Sequence, residues 1–477
     1  MGKPSFRQVL VAIAEAWRDE QDKIKSSTSS LRGALAAMAA EKPGDAPGPG
    51  ILNAVAEALL GATDSVGGGM QGAPRFPNAP LFRFLWQDGF RTGMSAGREA
   101  VHLLLTKMSQ GGIYDHLGGG FARYSTDATW LVPHFEKMLY DNAQILELLA
   151  LAHADAPNQL YAARARETVG WLTRDMTAAE VSGRSAFAAS EDADSEGEEG
   201  RFYLWHAGEV DMLLGADASA FRCAYDVSSA GNWEGRTILR RVTPLGTDDE
   251  EARLTRCRAV LQEARSRRVR PGRDDKVLAD WNALAVAALC RAGVVFEQPA
   301  WLGLAAEVFD FVRTELATGD GRVGHAWRLG RITAPGMLED QAAMARAAIA
   351  LYEATGEAAR LEQALAFVAG AERWFAAPGG SYFTTAADAP DVPMGADVRP
   401  RTAVDGAIPS GIGMLAEVLA RLWHLTGDPT WRDRGSAILR AYGGLGRDWG
   451  ASPGLLAAAD LLEEGATAIV TGERDDP

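Results

Sequence analysis

The spacing of apolar residues is the feature that most constrains how this chain can fold. Through most of the sequence they recur every three or four positions, as at Val9, Ile13 and Trp17 near the start and at Leu139 and Leu146 further on. This spacing places apolar side chains on one face of an α-helix. It predicts further helices over residues 51–65, 95–109, 158–177, 251–267, 276–294, 299–317, 337–355, 358–376, 409–426 and 429–442. Short stretches at 185–190, 201–205 and 322–328 have strand character, so the class is all-α with small β-hairpin insertions.

A weak internal repeat indicates how the helices are joined. The heptapeptide LYEATGE, residues 351–357, returns as LWHLTGD at residues 422–428. In both copies a glycine can cap one helix in the left-handed conformation while the next acid begins another helix. Such antiparallel pairs suit an open solenoid or a closed double ring of helices. Closure is favoured because the loops between pairs are long and rich in polar residues.

Composition narrows the class of protein. The chain has 477 residues, 47% of them hydrophobic, and a formal net charge of −15, which repels nucleic acids and anionic membranes. Cys223, Cys257 and Cys290 lie far apart and form no C-x-x-C motif, which disfavours zinc, thiol redox chemistry and disulfides. The N-terminus has no apolar signal segment. We therefore expect a cytoplasmic protein without metal or cofactor.

The densest polar segment is residues 111–144, which opens with five glycines in ten positions. It does not match a P-loop or a dinucleotide fingerprint, so phosphate cradling is a weak interpretation. Planar hydrogen-bonding groups and aromatic faces suit polyhydroxylated ligands. The segment supplies them as Asp115, Arg123, Tyr124 and Trp130.

A stripe of ionisable residues follows in the same segment. Pro133 can begin a helix, which would place His134, Lys137 and Asp141 along one face. Exposed Lys–Asp pairing is the plainer interpretation and contributes only about 0.3–0.5 kcal/mol. If the stripe ends in a cavity, His134 is a candidate acid or base.

The acidic segment at residues 190–199 also has two interpretations. It contains Glu191, Asp192 and Asp194, and it resembles the start of a calcium loop, but Tyr203 stands where the closing glutamate is needed. A solvated acidic turn is one alternative. If the acids point into a cavity, like charges would raise one pKa and provide an acid beside a base.

Smaller polar clusters recur near the starts of predicted helices. Each alone is more typical of a helix cap or a buried structural group. Together these clusters are expected if the helices form a ring and their starts lie at the same end of it. They are Asn232 with Trp233, Trp281 with Asn282, His325 with Arg328, Asp340 with Glu339, and Asp405 with Ser410.

Six strings of this sequence resemble the YyaL-type, spermatogenesis-associated protein 20-like family of thioredoxin-domain-containing proteins. They lie at residues 111–144, 190–205, 231–239, 274–284, 337–344 and 399–411. The resemblance implies a six-hairpin, glycosidase-like (α/α)6 barrel similar to N-acylglucosamine 2-epimerases. It also implies that the family's N-terminal thioredoxin domain is absent here. We expect one barrel domain over residues 1–477, with the helices of residues 1–45 packed on it and a separate thioredoxin-like protein as a candidate partner.

Our first hypothesis is a carbohydrate-processing enzyme, because the expected barrel is similar to those of sugar epimerases and glycosidases. An epimerase version uses His134 and His325 as acid and base, with Arg328 or Lys137 stabilising an oxyanion. A glycosidase version uses Asp115, Asp192, Asp194 and Asp340. Trp130, Trp233 and Trp281 are expected to stack on the sugar. The remaining candidates for binding are Arg123, Tyr124, Asp141, Glu191, Asn232, Asn282 and Asp405.

Two alternatives stay open. The chain could be a non-catalytic ligand-binding or scaffold module, which predicts a shallow or plugged barrel mouth. A weaker alternative is a metal-dependent enzyme that uses the acidic segment.

Overall fold

The computed structural model describes residues 4–389, 399–466 and 468. In this part of the chain seventeen α-helices make up most of the fold. The first nine are α1 (Phe6–Asp19), α2 (Gln21–Met38), α3 (Pro49–Gly61), α4 (Ala79–Thr92), α5 (Ala96–Gln110), α6 (Leu139–Asp155), α7 (Gln159–Asp175), α8 (Ala207–Leu214) and α9 (Ala218–Ala224). The others are α10 (Asp248–Arg265), α11 (Ala279–Val295), α12 (Pro299–Glu315), α13 (Leu338–Thr355), α14 (Ala358–Phe375), α15 (Gly411–Thr426), α16 (Pro429–Ala441) and α17 (Pro453–Glu464).

Short strands decorate the loops in small antiparallel hairpins and three-stranded sheets. The first six are β1 (Tyr124–Ser125), β2 (Pro133–His134), β3 (Lys137–Met138), β4 (Thr177–Val181), β5 (Arg184–Phe187) and β6 (Ser190–Glu191). The others are β7 (Asp194–Ser195), β8 (Glu198–Glu199), β9 (Arg273–Asp274), β10 (Val277–Leu278), β11 (Ala326–Arg328) and β12 (Arg331–Ala334).

Six helices form an inner ring. Going round it, α6 packs on α11, α11 on α13, α13 on α15, α15 on α17, α17 on α4, and α4 on α6. The middle members α6, α11, α13 and α15 are buried on nearly every face, as a helix apolar all round must be. The ring contains the main hydrophobic core of the molecule.

Six further helices form an outer ring, each packed against an inner partner. The pairs are α5 with α4, α7 with α6, α12 with α11, α14 with α13, α16 with α15, and α3 with α17. The outer helices bury a single face, as α12 does with Ala305, Val308, Phe309 and Val312. The last pair joins the first and last helices of the barrel, so the ring is closed. The predicted all-α, (α/α)6-barrel class is confirmed.

The connections place all long loops at one end of the barrel. Five of the six inner helices, all but α17, pass to their outer partners through a short turn, and the turns after α13 and α15 use Gly356 (φ 74°) and Gly427 (φ 69°) in the left-handed conformation. These are the glycine caps predicted from the repeat. The long loops therefore lead from outer helices into the N-termini of inner helices. We call this end of the barrel the mouth.

Two local predictions are wrong. Residues 133–138 are not helical, because Pro133–His134 pairs with Tyr124–Ser125 and Lys137–Met138 pairs with Ser190–Glu191. The stripe of His134, Lys137 and Asp141 is thus spread over two strands and a helix. Residues 201–205 form a turn, apart from a single bridge between Trp205 and Thr237. The inner helices α4 and α17 were not among the predicted segments.

The N-terminal helices contrast with the barrel. Neither α1 nor α2 has a buried residue, and Phe6 and Trp17 are 78% and 64% exposed. Hydrogen bonds to the barrel follow directly after α2: Arg401 donates to the carbonyl oxygen of Ala39 and to Glu41, the latter at 2.8 Å. Packing of residues 1–45 on the barrel therefore stays a prediction for α1 and α2. Within the described ranges, no helix combines the length and apolarity needed to cross a bilayer.

Candidate functional site at the barrel mouth

Three inner helices each bring an aspartate to the mouth in their first turn. These residues are Asp141 of α6, Asp280 of α11 and Asp340 of α13, and each is at most 5% exposed. In α6 and α11 the local sequences match, KMLYDNA and KVLADWNA, and the residue just before each helix is extended. The same sequence pattern thus produces the same strand-to-helix junction twice.

Buried amides fix these junctions to the loops before them. The side chain of Asn142 accepts a hydrogen bond from Phe121 N and donates one to Phe121 O, at 2.7 and 2.9 Å. Asn282 makes the equivalent pair with Phe187, and Gln341 donates to Val323 O at 3.0 Å. Because an amide offers both a donor and an acceptor, it can hold both backbone groups of one residue. Asn282, predicted to bind ligand, is fully occupied in this way.

Asp280, His325 and Asp340 converge at the mouth. His325 Nδ1 lies 3.0 Å from Asp340 Oδ1 and 3.9 Å from Asp280 Oδ1. Asp340 also accepts from Met337 N at 2.8 Å and from Asp280 N at 3.2 Å. The His325 ring is held in place by Nδ1. Its Nε2 has no hydrogen-bond partner among the described residues, and the side chain is 21% exposed.

Electrostatics in this cluster favour bound protons. Burial, together with the charge of Asp340, raises the pKa of Asp280 to about 8. Burial alone would lower the pKa of His325, but the hydrogen bond to Asp340 and the charges of both aspartates raise it to about 9. The cluster can therefore take up or release a proton in the range where general acids and bases work best.

The cluster also satisfies the spacing of metal ligands, since one ligand atom from each residue lies within 4.8 Å of the others. Two carboxylates and an imidazole are a donor set that divalent transition metals accept. However, both oxygens of Asp340 already accept N–H groups from the protein. The arrangement fits a hydrogen-bonded acid–base group better than a metal centre.

A second acid lies on the neighbouring inner helix. Asp141 is buried, and its Oδ2 has no hydrogen-bond partner in the described part of the chain. Burial raises its pKa well above the usual range, although nearby Arg123 opposes this. Arg123 itself donates to Glu136 Oε2 at 3.1 Å. Burial therefore favours the neutral, proton-bearing form of Asp141.

Aromatic rings join the two acids. Trp281, next to Asp280, meets Tyr140, next to Asp141, with ring centroids 4.7 Å apart at 70°. Burial raises the pKa of Tyr140 to about 12. The pair offers an apolar face beside proton-bearing groups, as sugar sites require.

Two more acids belong to this end of the barrel. Glu339 of α13 is buried enough to raise its pKa, and its Oε2 has no hydrogen-bond partner among the described residues. Burial raises the pKa of Asp405 to about 6, although it accepts hydrogen bonds from Ser410 N and Gly454 N. Ser410 is the N-cap of α15, where its Oγ accepts from Gly413 N at 3.1 Å.

His134 lies in a separate, more open group. Its Nδ1 is 2.7 Å from Glu199 Oε1, its ring stacks on Tyr124 at 5.0 Å, and Glu136 is 3.9 Å away. The side chain is 30% exposed. Because Glu136 also binds Arg123, this group connects to Asp141, but it is not in contact with His325.

Asp115 and Lys137 belong to a closed ionic cluster. Asp115 accepts from Lys137 Nζ and from both terminal nitrogens of Arg265, each at 2.8 Å. Burial would raise the pKa of Asp115, but Arg265 and Lys137 hold it well below its usual range. The pocket beside them has a volume of about 30 Å³, enough for ordered water.

Glycines of the same loop allow this packing. A Cβ on Gly119 (φ 80°) would lie 2.3 Å from Glu167 O, and one on Gly120 (φ 83°) would lie 2.9 Å from the Trp171 ring. The glycine run is needed for close backbone approach, as the sequence indicated.

The other predicted site residues lie elsewhere. Glu191 is buried between Arg270 and Trp171 Nε1, whereas Asp192 and Asp194 are exposed. Trp130 is fully buried and donates to Gly67 O. The remaining three are Asn232, which closes a turn onto Ile238, Trp233, which packs on Phe135, and Arg328, which is exposed on β11.

Sequence reasoning missed three residues of the mouth, Asp280, Tyr140 and Glu136. The available signal was the similarity between KMLYDNA and KVLADWNA: with Asn142 aligned to Asn282, Asp280 falls on Tyr140 and Trp281 on Asp141. This similarity places each of the two aspartates in the first turn of its own helix. Their pairing with His325 depends on tertiary structure and has no comparable signal.

Sequence comparison finds clear relatives. Spermatogenesis-associated protein 20 of Homo sapiens is 31% identical over 496 residues, which cover 92% of this chain and 62% of that protein. The Rattus norvegicus protein is likewise 31% identical, with 92% and 61% covered. The chain thus spans about 62% of the length of these relatives. No family model matches the chain.

Structural comparison finds similar barrels. Cellobiose 2-epimerase from Spirochaeta thermophila has a TM-score of 0.51 at 14% identity, with 87% of this chain and 85% of that one covered. A D-mannose isomerase has a TM-score of 0.52 at 10% identity, with 87% and 98% covered. At these identities the likeness concerns the fold alone. The chain is therefore a homologue of spermatogenesis-associated protein 20 over most of its own length, and its fold is an (α/α)6 barrel.

Proposed function

We propose that the chain is a carbohydrate-processing enzyme of the epimerase or isomerase type, acting by proton transfer on a sugar or sugar-like polyol. The observation that carries this proposal is the cluster of Asp280, His325 and Asp340 at the mouth, beside the Trp281–Tyr140 pair. The two similar barrels are a cellobiose 2-epimerase and a D-mannose isomerase, which supports the same class.

The proposed step uses two members of the cluster. Ionised Asp280 removes the proton from the carbon next to a sugar carbonyl, and His325 Nε2–H donates its proton to the carbonyl oxygen. The electron pair of the broken C–H bond forms the C=C bond of an enediol. Water protonates the same carbon on its opposite face to give the epimer, in which case Asp280 releases its proton to solvent, or Asp280 returns its proton to the neighbouring carbon to give the isomer. In both cases His325 Nε2 regains a proton from the enediol hydroxyl that becomes the product carbonyl. Asp340 is a positioning residue that orients His325 through Nδ1.

The distances disfavour the glycosidase version for this cluster. Paired carboxyl groups stand about 5–5.5 Å apart in retaining glycosidases and about 6.5–9.5 Å apart in inverting ones. Here single oxygen atoms of Asp280 and Asp340 lie within 4.8 Å of each other, which is closer than the inverting separation. Asp340 moreover accepts three N–H groups of the protein, which makes it a poor nucleophile or base.

Solvent deuterium uptake tests this proposal without a known substrate. Aldoses, ketoses and disaccharides, including D-mannose and cellobiose, are incubated with the protein in D₂O, and ¹H NMR follows loss of the signal next to the carbonyl. We expect exchange in at least one sugar, and a loss of about 10²–10⁴-fold in His325→Gln. The rate should peak between pH 8 and 9, because Asp280 must lose its proton while His325 keeps its own.

The matched control is Asp194→Asn, which removes an exposed acid outside the cluster. It is expected to exchange at the wild-type rate. Exchange that is equal in wild type and His325→Gln, or absent for all sugars, would contradict the proposed reaction.

A non-catalytic binding module is the second candidate, and one observation favours it. Halfway along the barrel, the lumen is occupied by the buried side chain of Arg346, which lies between Glu147 and Glu417. The mouth is therefore a shallow bowl. Saturable sugar binding without deuterium exchange would select this candidate.

Location and partners are part of the same proposal. The three cysteines are unpaired, and Cys257 and Cys290 are buried, which suits a reducing cytoplasm. We further propose that the protein works as one domain and that a separate thioredoxin-like protein is a partner.

A further inference from the structure

A second polar cavity lies at the end of the barrel opposite the mouth. It has a volume of about 200 Å³, and it is formed where α4 and α17 meet the C-terminal parts of α11, α13 and α15. Its polar lining consists of Arg83, Gln87, Arg291, Glu353, Glu417, Arg421 and His424. Four of these seven side chains are arginine or histidine, which is unusual for a chain with a net charge of −15.

A buried ionic network separates this cavity from the mouth. Arg346 donates to Glu147 at 2.8 Å and to Glu417 at 3.2 Å, and Arg83 donates to Glu417 at 2.8 Å. Burial would raise the pKa of Glu147, but Arg346, Arg83 and Arg291 lower it to about 2. Both glutamates are therefore fully ionised and already well supplied with cations. Arg346 and Glu147 are each the ninth residue of their helix, which places the network at mid-barrel.

The charges of the network and the cavity do not balance. Four arginines face three glutamates, so one positive charge lacks a counter-ion within this set. The members are Arg83, Arg291, Arg346 and Arg421 against Glu147, Glu353 and Glu417.

Arg291 is the arginine with the weakest pairing. Its closest acid is Glu147, 3.5 Å from Nε, and that carboxylate is shared with Arg346 and Arg83. Its Nε is buried and has no hydrogen-bond partner among the described residues, although the side chain as a whole is 37% exposed to the cavity. Arg421, by contrast, donates to Glu353 at 2.7 Å.

The groups around Arg291 carry too little negative charge to balance its guanidinium. Burial lowers the pKa of Arg291, and despite Glu147 the neighbouring Arg83 and Arg421 lower it further. An anion placed beside Arg291 would relieve this repulsion. Guanidinium groups bind phosphate and carboxylate through paired N–H donors, and such charge-assisted hydrogen bonds are strong in a partly buried site.

We propose that this cavity is a binding site for a small oxyanion, a phosphate or carboxylate group, held by Arg291 with Arg421 and Arg83 around it. Glu353 and Glu417 on the same wall repel additional negative charge, so the site selects a small anion over a polyanion. The site is independent of the acid–base cluster, because the network of Arg346 lies between them.

Isothermal titration calorimetry with inorganic phosphate at constant ionic strength tests this site. We expect saturable one-to-one binding to the wild-type protein and at least tenfold weaker binding to Arg291→Gln. The matched control is Arg313→Gln, since Arg313 is 42% exposed and has one weak pair, 3.4 Å from Asp310. This variant should bind phosphate like the wild type. Acetate in a parallel titration shows whether the phosphate or the carboxylate group is preferred, and saturable binding of either supports the site.

Absence of saturable binding for both anions would overturn the proposal, as would equal affinities in Arg291→Gln and Arg313→Gln. Circular dichroism checks that the variants are folded. If Arg291→Gln does not fold, Arg291→Lys serves instead, because it keeps the charge but loses the paired donors. Binding by Arg291→Lys at wild-type affinity then counts against the proposed recognition.

Discussion

Asp115 and Asp280 are both buried aspartates in the mouth half of the barrel, with side chains 6% and 4% exposed, yet their environments have opposite effects. Asp115 has two cations at 2.8 Å, and its pKa is held well below the usual range. Asp280 has only His325 at 3.9 Å and faces Asp340, so its pKa rises to about 8. The number of nearby cations, rather than burial, decides which aspartate stabilises the fold and which can exchange a proton.

The largest expected effect is on stability when Asp115 is removed. Asp115→Asn leaves Lys137 and Arg265 buried side by side without their counter-ion, which is expected to cost about 3–5 kcal/mol of unfolding free energy. Urea denaturation at pH 7 measures the loss. Asp280→Asn serves as the contrast and should lose no stability at this pH. A loss below about 1 kcal/mol in Asp115→Asn would mean that the cluster is not a stabilising element.

The next prediction concerns the pH dependence of the unfolding free energy, which should differ between the two aspartates. The native state holds a proton on Asp280 up to about pH 8, whereas the unfolded chain releases it near pH 4, so wild-type stability falls across this window. Asp280→Asn removes that dependence. We expect the variant to match the wild type near pH 4 and to be more stable at pH 9, by up to about 5 kcal/mol for a difference of four pKa units. Urea denaturation at both pH values checks this, and a difference independent of pH would contradict the raised pKa.

Most of the fold was predictable from local pattern. The spacing of apolar residues located ten barrel helices to within a few residues, and glycine caps such as Gly356 and Gly427 identified the short turns. The pattern failed at residues 133–138, where an apolar stripe of helical spacing is held extended by strand pairing to residues 190–191. Such pairing joins segments more than fifty residues apart, and local sequence does not encode it.

The site was predictable only as a set of candidates. His325, Asp340, Asp141 and Trp281 were among them and lie at the mouth. Asp280 was not, because its role depends on its distance from His325. The sequence reveals which residues can ionise, whereas the pKa of each depends on neighbours that only the folded chain brings together.

A smaller effect concerns the histidine of the cluster. Its raised pKa means that the contact with Asp340 stabilises the fold below about pH 6.5 and that this stabilisation is lost as the pH rises through about 9. Asp340→Asn should lower the pKa of His325 by at least about one unit, equivalent to about 1.4 kcal/mol. Titration of the imidazole followed by ¹H–¹⁵N NMR measures the shift. Asp194→Asn is the control, and a His325 pKa that stays near 9 in Asp340→Asn would contradict the assigned contact.

The smallest effect is expected at the acidic segment itself. Asp194 is exposed on β7 opposite Glu199. The neighbouring Asp192 is also exposed, and among the described residues its carboxylate accepts a hydrogen bond only from Ala193 N. Asp194→Asn should therefore change the unfolding free energy by no more than about 0.5 kcal/mol. A larger change in urea denaturation would contradict this expectation. If added divalent cations stabilise the wild type but not the variant, the segment is a metal site. The contrast between buried and exposed acids at the mouth would then have to include a third, metal-binding class.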